Sequence, residues 1–112
     1  MSKKKIKTLC VHEGEIKDIQ FKGSTSPLFM STSYAFDDVD IKQYPRYFNT
    51  PNQRALVKKI SSLEHAETGL IFSSGMAAIS TSLFSNLNSG DHLIVQGDLY
   101  GGTRNFIKKE FP

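Results

Sequence analysis

Apolar residues begin to recur at helical spacing at Gln53. From residue 53 to residue 66, charged residues lie between apolar ones in a pattern typical of an amphipathic helix, and Thr68 and Gly69 follow as a stop signal. The apolar positions are Ala55, Leu56, Ile60 and Leu63. We therefore predict a helix over residues 53–66.

Two short apolar runs follow this helix, and each leads into a turn and a further helix. The runs near residues 70–73 and 92–96 are predicted to be buried strands. Helical spacing returns over residues 76–87 and 103–110. This order contains one βαβ unit, which implies parallel strands and a right-handed crossover. Two strands cannot bury both faces of such a sheet, so the pattern predicts the beginning of a larger α/β domain.

Residues 1–52 have no sustained helical spacing. They contain three of the four prolines, Pro27, Pro45 and Pro51. Prolines interrupt regular structure, and an irregular stretch of this length is uncommon inside a compact domain. We predict a largely extended, poorly packed arm over residues 1–52 that wraps a neighbouring subunit, followed by an incomplete α/β domain over residues 53–112.

Composition and charge narrow the classes of protein. The 112 residues include 14 Lys and Arg and 11 Asp and Glu, which gives a net charge of +3. This small positive charge is not accompanied by a nucleic-acid-binding motif in the sequence. Cys10 is the one cysteine, which excludes an internal disulfide, and its neighbour His12 does not by itself make it a nucleophile. No apolar run approaches the roughly 20 residues that span a bilayer, and the start lacks the apolar segment of a secretory signal. We expect a cytoplasmic protein that does not bind nucleic acid, a membrane or a metal ion.

Two loops are predicted at the carboxyl ends of the strands, where open α/β sheets bind ligands. The first loop, residues 73–76, leads directly into a helix N-terminus, where backbone N–H groups and the helix dipole favour a phosphate. Gly75 lets the backbone approach that phosphate closely. Serine is also a favoured N-cap residue, so an ordinary helix cap explains the same residues equally well.

Tyr100 in the second loop and Arg46 in the arm are the other candidates. Tyr100 is followed by two glycines, which leave its ring free to stack on a planar cofactor. A core or interface tyrosine is the alternative. Arg46 lies among aromatic residues, and its guanidinium matches phosphate or carboxylate bidentately. Taken alone, such an arginine is most often a surface residue.

These elements, in this order and at these separations, resemble the Cys/Met-metabolism enzymes that use pyridoxal phosphate (PLP). That family includes cystathionine gamma-synthase, the cystathionine lyases, methionine gamma-lyase and O-acetylhomoserine sulfhydrylase. The resemblance extends from about Thr8 onward. Its main motifs are Tyr44-Pro45-Arg46-Tyr47-Phe48-Asn49, Ser73-Ser74-Gly75-Met76-Ala77-Ala78-Ile79 and Tyr100-Gly101-Gly102-Thr103. It implies the α/β fold of fold-type I PLP-dependent transferases (the aspartate aminotransferase-like large domain), preceded by a subunit-wrapping arm.

The resemblance also implies a role for each matched residue. Gly75 and Met76 supply backbone N–H groups to the phosphate of pyridoxal 5'-phosphate, and Tyr100 stacks on its pyridine ring. Tyr44 and Arg46 reach the phosphate of the cofactor in the adjacent subunit. A dimer then shares its two active sites, and dimers pair into a homotetramer. Tyr100 and Tyr44 are the catalytic candidates.

The implied activity is that of a PLP-dependent carbon–sulfur lyase or transferase of transsulfuration and methionine biosynthesis, similar to cystathionine gamma-synthase. Its substrates would be small amino acids such as O-acyl-homoserine, cystathionine or methionine, altered by γ-replacement or elimination. The family's Schiff-base lysine and the aspartate that pairs with the pyridine nitrogen have no counterpart among these 112 residues. We therefore expect an N-terminal fragment that is inactive alone. The alternatives are a non-catalytic phosphate-binding α/β module and an oligomerisation arm.

Overall fold

The computed structural model describes residues 5–111, and within that range the regular secondary structure is helical. The elements in this range are α1 (Ile6–His12), a 3-10 helix (Pro45–Tyr47), α2 (Pro51–Leu63), α3 (Gly75–Asn86) and α4 (Gly101–Glu110). The chain forms two compact units, Met1–Ile71 and Phe72–Pro112. None of the described helices is long and apolar enough to span a membrane.

The three helices predicted from apolar spacing are confirmed as α2, α3 and α4, each beginning one or two residues earlier than predicted. The first turn of α2 explains its earlier start. The Thr50 side chain accepts the backbone N–H of Gln53, the Gln53 side chain accepts the Thr50 N–H at 3.1 Å, and Pro51 lies in the first helical turn. This capping box starts α2 before the first apolar position, where hydrophobic spacing carries no signal.

The two strands predicted near residues 70–73 and 92–96 are wrong, because neither segment is a strand in the described part of the chain. Leu70 is 64% exposed and Ile94 is 96% exposed. A parallel sheet is stable when helices cover both of its faces. No hydrophobic side chain among residues 5–111 is buried, so this chain provides no such cover. The apolar runs therefore lack the partners that would make them strands, and the predicted βαβ unit does not form.

Helix α1 lies within residues 1–52, for which hydrophobic spacing predicts no helix, and the prediction is wrong at this point. Its 7 residues are too few for apolar periodicity to register. The helix is held by a contact distant in sequence, in which the Lys59 ammonium on α2 donates to the carbonyls of Cys10 and Val11, both at 3.0 Å. A cation at the carbonyl end of a helix is also favoured by the helix dipole. Residues 1–4 of the predicted arm lie outside the described residues.

Residues 15–44 contain no helix or strand and are held in part by side-chain hydrogen bonds. The Asn52 amide on α2 accepts the Phe29 N–H at 3.1 Å and donates to the Phe29 carbonyl at 2.6 Å. Nearer the start, the Asp18 carboxylate accepts the N–H of Phe21 at 2.9 Å, which holds the pKa of Asp18 below its usual range. Helix α2 thus anchors a segment that has no regular structure of its own.

Helices α3 and α4 form the second unit and meet through aromatic rings. Phe84 on α3 lies edge-on to Phe106 on α4 with centroids 5.4 Å apart, and Phe111 contacts these rings at 5.3 and 5.9 Å. Near the other end of the pair, the hydroxyl of buried Thr103 donates to Met76 Sδ at 3.5 Å. These contacts bring the N-termini of both helices to the same end of the unit.

Gly14 is predicted to be essential to the contact between α1 and α2. It has a φ of +76°, and a Cβ there would collide with the Ala55 carbonyl oxygen and lie 3.1 Å from Lys59 Cβ. Gly90 has a φ of +96° with nothing within 4 Å, so its substitution strains the backbone without a collision. We expect Gly14→Ala to raise the hydrogen-exchange rates of the α1 amides and Gly90→Ala to leave them unchanged. Equal rates in the two variants would contradict this role.

Candidate functional site

The N-terminus of α3 contains the predicted phosphate-binding residues. Ser74 is the N-cap, with an extended backbone (φ −152°, ψ 155°), and its Oγ accepts the Ala77 N–H at 3.1 Å. The N–H groups of Gly75 and Met76 lie in the first turn, where no acceptor exists within the helix. A Cβ at Gly75 would have nothing within 4 Å, so an anion has room to approach the backbone. The cap and the phosphate interpretation are compatible, because they use different N–H groups.

Tyr100 immediately precedes α4, and its side chain is exposed. The ring lies beside Gly102 in the first turn of the helix, and Met76 Sδ reaches the same turn. The contact between Met76 and Thr103 fixes the two helix starts against each other. The structure therefore brings Gly75, Met76 and Tyr100 to one end of the second unit, with the tyrosine ring open to a planar ligand.

Tyr44 and Arg46 lie on either side of Pro45 at the start of the 3-10 helix. The Arg46 guanidinium donates through Nη1 to the Tyr44 hydroxyl at 2.6 Å. It also lies 5.7 Å from the centroid of the Tyr44 ring, a cation–π distance. The Tyr47 ring packs edge-on against Tyr44 at 5.3 Å. The two predicted site residues thus form a single exposed group that presents a guanidinium and a phenol together.

Two amide side chains hold the backbone beneath this group, and neither role follows from the sequence. Asn49 Oδ1 accepts the Tyr44 N–H at 2.9 Å, and its Nδ2 donates to the Lys42 carbonyl at 2.8 Å. Gln53 on α2 donates to the Pro45 carbonyl at 2.9 Å. The sequence signals for these roles are that Asn49 ends the motif that begins at Tyr44, and that Gln53 lies three residues after Thr50, the N-cap of α2. Both bonds reach back along the chain to backbone atoms, which a linear pattern does not reveal.

The predicted site residues fall into two groups, one in each compact unit. Tyr44 and Arg46 belong to the first unit, whereas Gly75, Met76 and Tyr100 belong to the second. Within each group the residues lie together. Their roles toward a cofactor stay predictions.

The chemistry of both groups fits pyridoxal phosphate. Backbone N–H groups at a helix start suit a phosphate, an exposed tyrosine ring suits a planar pyridine, and a guanidinium suits a second phosphate contact. No three His, Cys, Asp or Glu side chains in residues 5–111 lie close enough to hold a metal ion.

A family model described as "Cys/Met metabolism PLP-dependent enzyme" matches residues 7–112. The matched range includes every predicted site residue of both groups. The motifs singled out above therefore lie within one continuous match to that family.

Three curated relatives illustrate the range of activities. Cystathionine gamma-lyase of Bacillus subtilis (strain 168) is 36% identical over 107 residues, covering 94% of this chain and 28% of that protein. L-methionine gamma-lyase of Fusobacterium nucleatum is 32% identical over 114 residues, covering 92% and 28%. O-acetyl-L-homoserine sulfhydrylase of Corynebacterium glutamicum is 34% identical over 107 residues, covering 86% and 24%. The chain spans 24–28% of the length of these three relatives.

The Asn49 amide is predicted to fix the turn that carries Tyr44 and Arg46. Asn49→Ala removes both of its hydrogen bonds, and such bonds contribute about 0.5–1.5 kcal/mol each. We expect the Tyr44 amide to exchange about tenfold faster, since 1.4 kcal/mol corresponds to tenfold. Asn105→Ala, at an exposed position of α4, is the matched control. Measured by NMR hydrogen exchange, an unchanged Tyr44 rate in Asn49→Ala would refute the role.

Proposed function

The chain belongs to the Cys/Met metabolism PLP-dependent enzyme family, and from that premise we propose that it is the N-terminal part of an enzyme that makes or breaks carbon–sulfur bonds. The family that the motifs predicted is confirmed. The reaction would be γ-replacement or elimination on an amino acid such as O-acyl-homoserine, cystathionine or methionine, resembling cystathionine gamma-synthase. The observation that carries the proposal is the match over residues 7–112, a range that includes both groups of predicted cofactor-binding residues.

Each group would contribute to holding the cofactor. PLP supplies the electron sink on which the amino-acid chemistry depends. The N–H groups of Gly75 and Met76 bind its phosphate, and the exposed ring of Tyr100 covers one face of the pyridine. Arg46 binds the phosphate of a neighbouring subunit's cofactor. The 2.6 Å bond from Arg46 to Tyr44 supports this role, because it orients the guanidinium before the phosphate arrives.

The sharing of sites between subunits is part of the proposal. Residues 1–52 act as an arm on a second subunit, residues 53–112 begin the α/β domain, and two shared-site dimers form a tetramer in the cytoplasm. Large apolar side chains that are exposed in residues 15–44 support the proposal that this segment is part of an arm. Ile19, Phe21 and Met30 are 78–79% exposed, and apolar side chains this exposed gain free energy when a partner buries them.

A phosphate-binding module without covalent chemistry is the second candidate. One observation favours it for these 112 residues, because no lysine of the second unit lies near Tyr100. Lys108 and Lys109 occupy the last turn of α4, at the opposite end of a helix about 15 Å long. Sequencing beyond the codon for Pro112 separates the candidates. A continuing frame with a lysine in a Ser-x-x-Lys-like segment favours the enzyme.

Loss of the Arg46 guanidinium is predicted to weaken retention of the cofactor. In the protein expressed from its complete reading frame, Arg46→Ala removes a charged contact to phosphate, a change that costs on the order of 2–5 kcal/mol when the partner charge is buried. Arg54→Ala, which removes an exposed positive charge from α2, is the control. Bound PLP is measured after exhaustive dialysis. Occupancy that is equal in wild type and Arg46→Ala counts against the proposed contact.

The 112-residue chain alone is predicted to be inactive and to bind PLP covalently at no single site. It is incubated with stoichiometric PLP, reduced with borohydride, digested, and the labelled lysines are mapped. We expect scattered, low-level labelling, because the matched residues supply phosphate contacts and a stacking face but no lysine at the aldehyde. Near-complete labelling of one lysine, with turnover of cystathionine or O-acetylhomoserine, would refute this prediction.

A further inference from the structure

The two glycines that begin α4 differ in what surrounds them. A Cβ added at Gly101 would have nothing within 4 Å. A Cβ added at Gly102 would lie 2.6 Å from Tyr100 Cε1, 3.2 Å from Tyr100 Cδ1 and 3.4 Å from Met76 Sδ. The space that a side chain would take at Gly102 is therefore occupied by the ring of Tyr100, with the Met76 thioether beside it.

Backbone conformation does not explain the glycine at this position. Neither Gly101 nor Gly102 has a positive φ, so both positions accept an L-residue. Glycine is also a poor helix former, and this cost applies equally at both positions. The steric contact with Tyr100 is the difference between them.

The backbone that carries Tyr100 is held on both sides. The Arg104 guanidinium donates through Nη2 to the Gly97 carbonyl at 2.5 Å, and the Arg104 N–H donates to the Tyr100 carbonyl at 3.0 Å. The Gln96 side chain donates to the Asp98 carbonyl at 2.8 Å. Because these bonds fix the loop, a new Cβ at Gly102 would turn the ring rather than move the main chain.

We propose that Gly102 is a positioning residue. Because it has no side chain, the space beside its Cα, called the seat here, holds the Cδ1–Cε1 edge of the Tyr100 ring and so sets the plane that the ring offers to the cofactor. The proposal rests on the proposed function only for its consequence, the stacking of PLP on that ring. The seat itself is a property of the second unit. Met76 completes it from α3, which links the ring to the helix whose N-terminus would bind the phosphate.

The test compares Gly102→Ala with Gly101→Ala in the protein expressed from its complete reading frame. Both changes replace glycine by alanine at the start of the same helix, so their effects on helix propensity match. Each is also made in a Tyr100→Ala background. The readouts are PLP affinity, the circular dichroism of bound PLP in its own absorption band, and the fluorine NMR signal of Tyr100 in protein labelled with 3-fluorotyrosine. Tyr100→Phe assigns that signal.

We expect Gly102→Ala to shift the Tyr100 signal, alter the dichroism and weaken PLP binding about two- to tenfold, the range of an aromatic stacking contact. Gly101→Ala should change none of these, and Gly102→Ala should have no further effect on PLP binding once Tyr100 is alanine. Equal effects of the two glycine variants, an unmoved Tyr100 signal, or a full effect on PLP binding without the ring would each overturn the proposal. If the wild-type protein binds no PLP, the proposed function fails. The fluorine NMR signal of Tyr100 alone then tests whether Gly102 sets the orientation of the ring.

Discussion

The hydrogen bonds at the start of α2 fix where this helix begins. Other side chains of α2 then hold further segments of the first unit. Thr50 and Gln53 satisfy each other's backbone donors, so the helix begins at a defined residue although little apolar surface covers it. Gln53 also donates to the Pro45 carbonyl, and so the same residue that closes the cap holds the turn of Tyr44 and Arg46. Farther along α2, Lys59 holds the end of α1. A defined start therefore determines where these two separate segments attach.

The second unit depends on a different contact, between the first turns of α3 and α4. Thr103 is 7% exposed, and its hydroxyl donates to Met76 Sδ, so the two helix starts stay in register. The first-turn N–H groups of α3 and the ring of Tyr100 then lie at the same end of the second unit. An anion and a planar ring joined in one ligand, as in PLP, match this arrangement. Binding such a ligand would stabilise the unit by mass action, because the unfolded chain lacks the site.

The exposed apolar side chains are the feature of this fold that bears on the proposed assembly of subunits. No hydrophobic side chain in residues 5–111 is buried, and residues such as Phe21, Leu70 and Ile94 are largely exposed. Burial of apolar area is the dominant favourable contribution to folding, so these side chains gain free energy from further contacts. The chain matches about a quarter of each relative described above. Additional chain or a second subunit would supply the missing cover.

The sequence by itself determined the family and three of the helices, and it predicted the residues of both candidate groups. Helical periodicity and motif spacing are local, and local patterns persist whatever packs around them. It failed at the strands near residues 70–73 and 92–96, because a strand requires partners that no linear pattern supplies. It also missed α1, since the support from Lys59 comes from 48 and 49 residues away. Only the tertiary structure decided that Asn49 and Gln53 hold the turn of Tyr44 and Arg46 and that one edge of the Tyr100 ring lies against Gly102, because these contacts depend on which atoms meet in space.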